Sequence, residues 1–324
     1  MVALAVDVAI ILLTTGAIWI GSGWLEDASE RLATYYGLPE VVQGSIVTAI
    51  GSSFPELSTV VIAAITVDSL ELGVGAIVGS AVFNILVIPA LAGITTAENV
   101  EANRALVYKE ALFYMLAVSI LVITFSLAVI YYPVGGVTYL GGNITRPLAL
   151  IPLGMYGLYV FIQYQDTTDH DSGDSGREIA VGRQWGLLLA ALVVILIAVE
   201  RLVHSIDVIG TAFGIPEFIM GVTIAAGATS LPDAMVSVRA AREDRGIAAV
   251  ANVLGSNTFD LLVAIPVGVM LVGSSPINFS MAIPMFAVLT LATILLFTAL
   301  RTDMSLTVPE AYGLLVAYGL FVTW

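Results

Sequence analysis

Three carboxylates, Glu56, Asp233 and Asp260, fall inside long apolar runs of this 324-residue chain. Ser52 and Ser53 stand beside Glu56, Thr229 and Ser230 beside Asp233, and Ser256 four residues before Asp260. A fourth block carries Ser80 and Asn84 at the same i, i+4 spacing, which puts both on one helix face. Carboxylate, hydroxyl and carbonyl oxygens are the donors that hard cations prefer. Pro55 and Pro232 each interrupt an apolar run roughly sixteen residues past its start, about 24 Å along a helix. A proline at that depth removes a backbone hydrogen bond, so freed carbonyls must bind something. Packing kinks would account for the prolines and hydroxyls. They do not account for a carboxylate at the same depth, which costs several kcal/mol without a partner. Every Lys and Arg falls near a loop, so the partners must be bound cations or protons.

These residues need spanning helices to hold them. Hydrophobic residues make up 59% of the chain and charged residues 11%, against roughly 25% charged in a soluble domain. That excludes an ordinary cytosolic enzyme and fits an all-α integral membrane protein. Apolar runs at about 3–24, 39–67, 72–94, 105–131, 147–164, 184–204, 215–238, 247–272, 279–300 and 306–323 predict ten transmembrane helices, the second and seventh broken at mid-membrane. The polar stretch 165–183 separates a first unit, 1–164, from a second, 184–324. No cleavable signal peptide is evident, since the N-terminus lacks a basic region and its apolar run reads on into a full span. There is no cysteine, so disulfides and thiol chemistry are absent. The two histidines, His170 in the acidic stretch and His204 near a helix end, read as solvated. A net charge of −14 carries no nucleic-acid footprint and suits the high-salt cytoplasm of a halophile.

The two units repeat. Gly37-Leu-Pro-Glu40 recurs as Gly214-Ile-Pro-Glu217, and Gly51-Ser-Ser-Phe-Pro-Glu56 as Ala228-Thr-Ser-Leu-Pro-Asp233, each 177 positions later. Gly79-Ser-Ala-Val-Phe-Asn84 recurs as Gly255-Ser-Asn-Thr-Phe-Asp260, 176 positions later. Five helices per unit is an odd number, so the second unit inserts upside down, a plan common among secondary transporters. Pro39 and Pro216 fall at helix starts, where proline is harmless, and Glu40 and Glu217 complement the helix dipoles. Gly75 with Gly79, and Ala251 with Gly255, form small-residue pairs that let each ligand helix press against its broken neighbour. With the N-terminus outside, nine basic residues fall on the inner side and only Arg146 and Arg201 on the outer, so both termini face outward and 165–183 faces the cytoplasm.

At these blocks the chain resembles the calcium/cation antiporter superfamily, specifically the sodium/calcium exchangers, over nearly its whole length. Their two repeats carry G-[ST]-S-x-P-[ED] and G-S-[NA]-x-x-[ND], and both are present twice. The blocks at 79–86 and 255–260, with Ala81 and the Pro232-Asp233 pair, are most similar to the potassium-dependent branch. Ala228 departs from the family, standing where a glycine is usual. The resemblance implies a sodium-for-calcium antiporter in a prokaryotic plasma membrane, not an enzyme, with no cofactor and with calcium, sodium and optionally potassium as cargo. By the same resemblance Glu56 and Asp233 are the central calcium ligands, with carbonyls of Ser52 and Thr229. Ser53, Ser80, Ser230 and Ser256, with carbonyls of Ala49 and Ala226, complete sodium sites, and Asn84 and Asp260 line the middle. The implied mechanism is alternating access, the first and sixth helices sliding across a static core.

Charge counting leaves two options. Three ionised carboxylates balance one calcium plus one potassium; with Asp260 protonated, Glu56 and Asp233 balance calcium alone. A calcium/proton antiporter is the nearest alternative function, but its usual G-N-x-x-E block is missing. An intramembrane aspartyl protease would need a Gly-x-Gly-Asp block, also missing, and a passive channel would not need two symmetric occluding sites. The sequence specifies no oligomeric state.

Overall fold

The structure, a computed structural model, describes the chain except residues 1, 38–48, 97–99, 103–104, 137, 168–179, 244–245, 303 and 324. Pro39, Glu40, His170, Ser172, Arg104, Arg177 and Arg245 therefore lie outside the described residues. The first half runs α1 (Val2–Tyr35), α2 (Ala49–Ser52), α3 (Phe54–Thr66), α4 (Leu70–Thr95), a π-helical turn Ala105–Glu110 leading into α5 (Ala111–Tyr131), and α6 (Arg146–Thr167). The second runs α7 (Val181–Phe213), α8 (Glu217–Met220), a π-helical stretch Gly221–Ala225, α9 (Ala226–Thr229), α10 (Leu231–Arg242), α11 (Gly246–Phe259), a π-helical stretch Asp260–Ala264, α12 (Ile265–Val272), α13 (Phe279–Arg301) and α14 (Val308–Thr323).

Seven of the described helices are long and apolar enough to cross a membrane, and the bent pair Glu217–Thr229 and Leu231–Arg242 makes an eighth. Two expected spans are present as shorter apolar helices, Phe54–Thr66 and Val308–Thr323; the run expected to lead into the first of them lies mostly at 38–48.

Two helices exceed their expected length. α1 continues eleven residues past 24, because Leu25, Ala28, Leu32 and Ala33 keep a helical apolar spacing and stay buried, while Asp27, Glu30 and Arg31 between them are exposed and Glu26 is half-buried. α7 likewise runs to Phe213, which leaves His204 exposed well inside the helix rather than near its end. At 1.5 Å per residue these two helices reach about 50 Å. Each is followed closely by a left-handed glycine, Gly37 and Gly214, both with φ of 66°, a conformation that glycine adopts without a Cβ penalty.

The chain is not purely α. Four short strands make two antiparallel ribbons: β1 (Val100–Glu101) pairs with β4 (Ser305–Leu306), and β2 (Gly141–Thr145) pairs with β3 (Ser274–Asn278). Strands of two to five residues lack a period long enough to be seen against the apolar background. Each ribbon joins the two halves.

At the centre lie α4 and the α11–α12 span, each 83% buried, while the other five unbroken spans are between 17% and 39% buried. Close approach to α4 is made by glycine. A Cβ on Gly75 would lie 2.2 Å from the Phe218 carbonyl oxygen, and one on Gly79 2.2 Å from that of Val222. A Cβ on Gly221 would meet the Leu72 carbonyl oxygen at the same distance. The packing expected of Gly75 and Gly79 is present, with one correction: α4 presses on the broken helix of the other half.

Candidate ion site

The two breaks fall at Ser53 and Ser230, each the residue before a helix with proline in its first turn. Pro55 and Pro232 sit where an amide N–H would be unpaired in any case, so they end one helix and start the next without loss. Glu56 and Asp233 follow in the same first turns, at the positive ends of α3 and α10. The second break bends its helix pair by 44°.

The breaks meet the central helices crosswise. The Ser52 and Ser256 hydroxyls lie 2.9 Å apart, and Ser53 Oγ donates to the Ser256 carbonyl at 3.5 Å. The repeat counterpart of the Ser53–Ser256 contact is Ser230–Ser80, whose hydroxyls lie 2.6 Å apart. Within each half, Ser80 donates to Glu56 Oε1 and Ser256 to Asp233 Oδ1, both at 3.4 Å. Asn84 Nδ2 donates to Asp233 Oδ2 at 3.0 Å. The Thr229 hydroxyl turns back to the Ala225 carbonyl, and the Ala226 carbonyl accepts the Ser230 N–H at 3.0 Å, so one of its lone pairs is already used. Ala49 opens α2 on the approach to the first break.

Ser53, Glu56, Ser80, Asn84, Thr229, Ser230, Asp233, Ser256 and Asp260 are all wholly buried, and Ser52 is 2% exposed. These side chains are therefore shielded from solvent. Among the described residues none of the three acids has a basic partner. Glu56 Oε2, Asn84 Oδ1 and both oxygens of Asp260 accept no hydrogen bond, although Ser53 lies beside Asp260. Buried polar oxygens are almost always paired. Four left open in one place are what a desolvated cation would require. The acids do not form a cage by themselves: among the described residues no three of His, Asp or Glu stand close enough to hold a metal. An ion here must also draw on hydroxyl, amide and carbonyl oxygens. Asp260 opens the π-helical stretch of its span, whereas Asn84, its repeat counterpart, sits in unbroken α-helix. Such π-bulges are frequent at functional sites.

One residue of this cluster was missed in the sequence. Asn257 is wholly buried and bonds Asn84, the Ala81 carbonyl and Tyr114. Its repeat counterpart is Ala81, so the internal repeat gave it no echo.

A closed nest of oxygen donors where two broken helices face each other, in a chain of many apolar spans, defines a multi-pass membrane protein built to carry cations. The family model for sodium/calcium exchanger protein matches residues 6–165 and 183–324. The chain belongs to that family, which places it among the cation antiporters. An uncharacterized membrane protein of Methanocaldococcus jannaschii is 27% identical over 280 residues, covering 86% of this chain and 87% of the relative. Inner membrane protein YrbG of Escherichia coli is 28% identical over 249 residues, 74% and 71% of the two chains. The human sodium/potassium/calcium exchanger 4 is 47% identical over 66 residues, 20% of this chain and 11% of the relative. Among solved structures, the sodium-calcium exchanger NCX_Mj superposes with a TM-score of 0.68 at 24% identity over 99% of both chains. The H+/Ca2+ exchanger CAX does so with 0.75 at 17% identity, over 98% of this chain and 82% of that one. Both likenesses speak to the fold.

Proposed function

We propose that this protein exchanges sodium for calcium by alternating access, with Glu56 and Asp233 as the paired calcium ligands. The observation that carries this reading is the set of unpartnered buried oxygens on Glu56, Asn84 and Asp260 at the meeting of the two breaks. Carbonyls of Ser52 and Thr229 join the calcium site. Ser53, Ser80, Ser230 and Ser256, with carbonyls of Ala49 and Ala226, hold sodium, and Asn84 and Asp260 line the centre. Potassium accompanies calcium when Asp260 is ionised. The short, strong match to the human sodium/potassium/calcium exchanger 4 supports that finer reading.

The units 1–164 and 184–324 are inverted repeats of five spans each, joined by 165–183. Three features support this. Gly37 and Gly214 share one φ at equivalent positions. The Ser80–Glu56 and Ser256–Asp233 bonds have equal length. The ribbons exchange under the repeat, since β1 and β3 precede the fourth helix of their halves while β2 and β4 precede the fifth. The moving element is the α1–α7 pair. Its side chains form a hydrophobic cluster separate from the main core, resting on Ala63, Leu72, Ala76, Met220, Ala225 and Ala228.

Reconstituted protein should accumulate calcium in vesicles loaded with sodium, with an uptake that disappears when the sodium gradient is removed. Uptake driven instead by a pH gradient alone would make it a calcium/proton antiporter. The basic-residue count supports an orientation with 165–183 in the cytoplasm and both termini outside the plasma membrane. A cysteine at position 172, in place of Ser172, should then resist an impermeant maleimide added to intact cells, and labelling there would reverse the orientation.

A further inference from the structure

The geometry points to Asn257 as a positioning residue that fixes which end of the Asn84 amide faces the ion. The inference rests on the reading that the buried oxygens bind cations. Asn257 lies on α11 beside Ser256 and is wholly buried. Its Nδ2 donates to the Ala81 carbonyl at 3.2 Å and to the Tyr114 hydroxyl at 3.4 Å. A backbone carbonyl only accepts, so the atom facing it must be the NH2 end. That turns Asn257 Oδ1 toward Asn84, and Asn84 Nδ2 donates to it at 3.0 Å. The second proton of the same Nδ2 goes to Asp233 Oδ2 at 3.0 Å. Both amide protons of Asn84 are thus taken, and its Oδ1 is left without a protein partner.

Turned the other way, Asn84 would set its oxygen against two acceptors and offer an NH2 group to a cation. Asp233 alone is an unreliable guide to the amide, because its carboxylate is drawn to the ion whenever one is bound. Asn257 is anchored outside the site, by Ala81 and Tyr114, and so holds Asn84 in the same sense whether or not an ion is present. The repeat shows why only one orienter is needed. The counterpart of Asn84 is Asp260, whose two ends are both oxygen and have no sense to fix, and the counterpart of Asn257 is Ala81, which has no amide.

The test is a double-mutant cycle on purified protein, reading the apparent dissociation constants of calcium and sodium from cation-dependent thermal stabilisation. Asn257→Ala should weaken both about tenfold, the scale of one lost buried hydrogen bond. The melting temperature without ions should fall no further in Asn84→Ala/Asn257→Ala than the sum of the single changes. In the Asn84→Ala background, Asn257→Ala should leave the dissociation constants unchanged, since there is no amide left to orient. Tyr114→Phe, which removes one anchor without opening a cavity, should give a smaller weakening that also vanishes in that background. It carries the test if Asn257→Ala fails to fold. Equal weakening with and without the Asn84 amide would overturn the positioning role. Wild-type protein with no cation-dependent stabilisation would overturn the reading of the site itself.

Discussion

Glu56→Gln and Asp233→Asn should each abolish calcium transport while leaving the protein folded. On the proposed assignment, each removes a calcium ligand and half of the charge that balances the ion. Breaking a fully buried charge pair costs about 3–5 kcal/mol, which is roughly two to three and a half orders of magnitude in affinity. Without ions the same substitutions are gentle. They remove a buried carboxylate that has no basic partner and replace it with a neutral group of similar shape. The melting temperature in ion-free buffer should therefore hold or rise, and the stabilisation that calcium gives the wild type should be lost. Flux in proteoliposomes and calcium-dependent melting check the two halves of the claim. Normal calcium exchange by either variant would remove Glu56 and Asp233 from the site.

Asp260→Asn should separate potassium from calcium. Its counterpart Asn84 has the same outline and no charge, and Asp260 supplies two of the four unpartnered oxygens. If the carboxylate is ionised with calcium bound, one further positive charge is required, and a monovalent ion fits the need. Wild-type initial calcium flux should then fall several-fold when potassium is replaced by choline on both sides, while Asp260→Asn should be indifferent to that replacement and still exchange sodium for calcium. A wild-type flux that ignores potassium would end the potassium reading and leave sodium/calcium exchange standing.

Much of this site could be read from the chain because the chemistry is written twice. The hydroxyl–proline–acid blocks at 51–56 and 228–233 stand out against apolar sequence, and their common offset marks them as one device used in both halves. The cross-half pairing could not be read. Sequence neighbours suggest that Ser80 serves the break at Ser53, whereas its shortest bond is to Ser230, 150 residues away. Asn257 was hidden for a related reason: a residue that breaks the repeat looks like noise until its hydrogen bonds are seen. The expected first span stops at 24, just before the charged run Glu26, Asp27, Glu30 and Arg31, although the buried stripe Leu25, Ala28 and Leu32 continues through it.

The ribbon between β1 and β4 has a consequence for how the molecule is made. Val100 pairs with Leu306, which leaves the ribosome 206 residues later. At about 5–20 residues per second, Val100 waits roughly 10–40 s for its partner. For much of that interval the first half lies in the bilayer with Ser52 lacking Ser256 and Ser80 lacking Ser230. Insertion can proceed helix by helix, but the contacts of the first break are not complete until Ser256 has been synthesised. A nascent chain stopped after α6 is therefore an unfinished half in which Glu56 lacks the residues that face it, a natural substrate for membrane quality control rather than a smaller transporter.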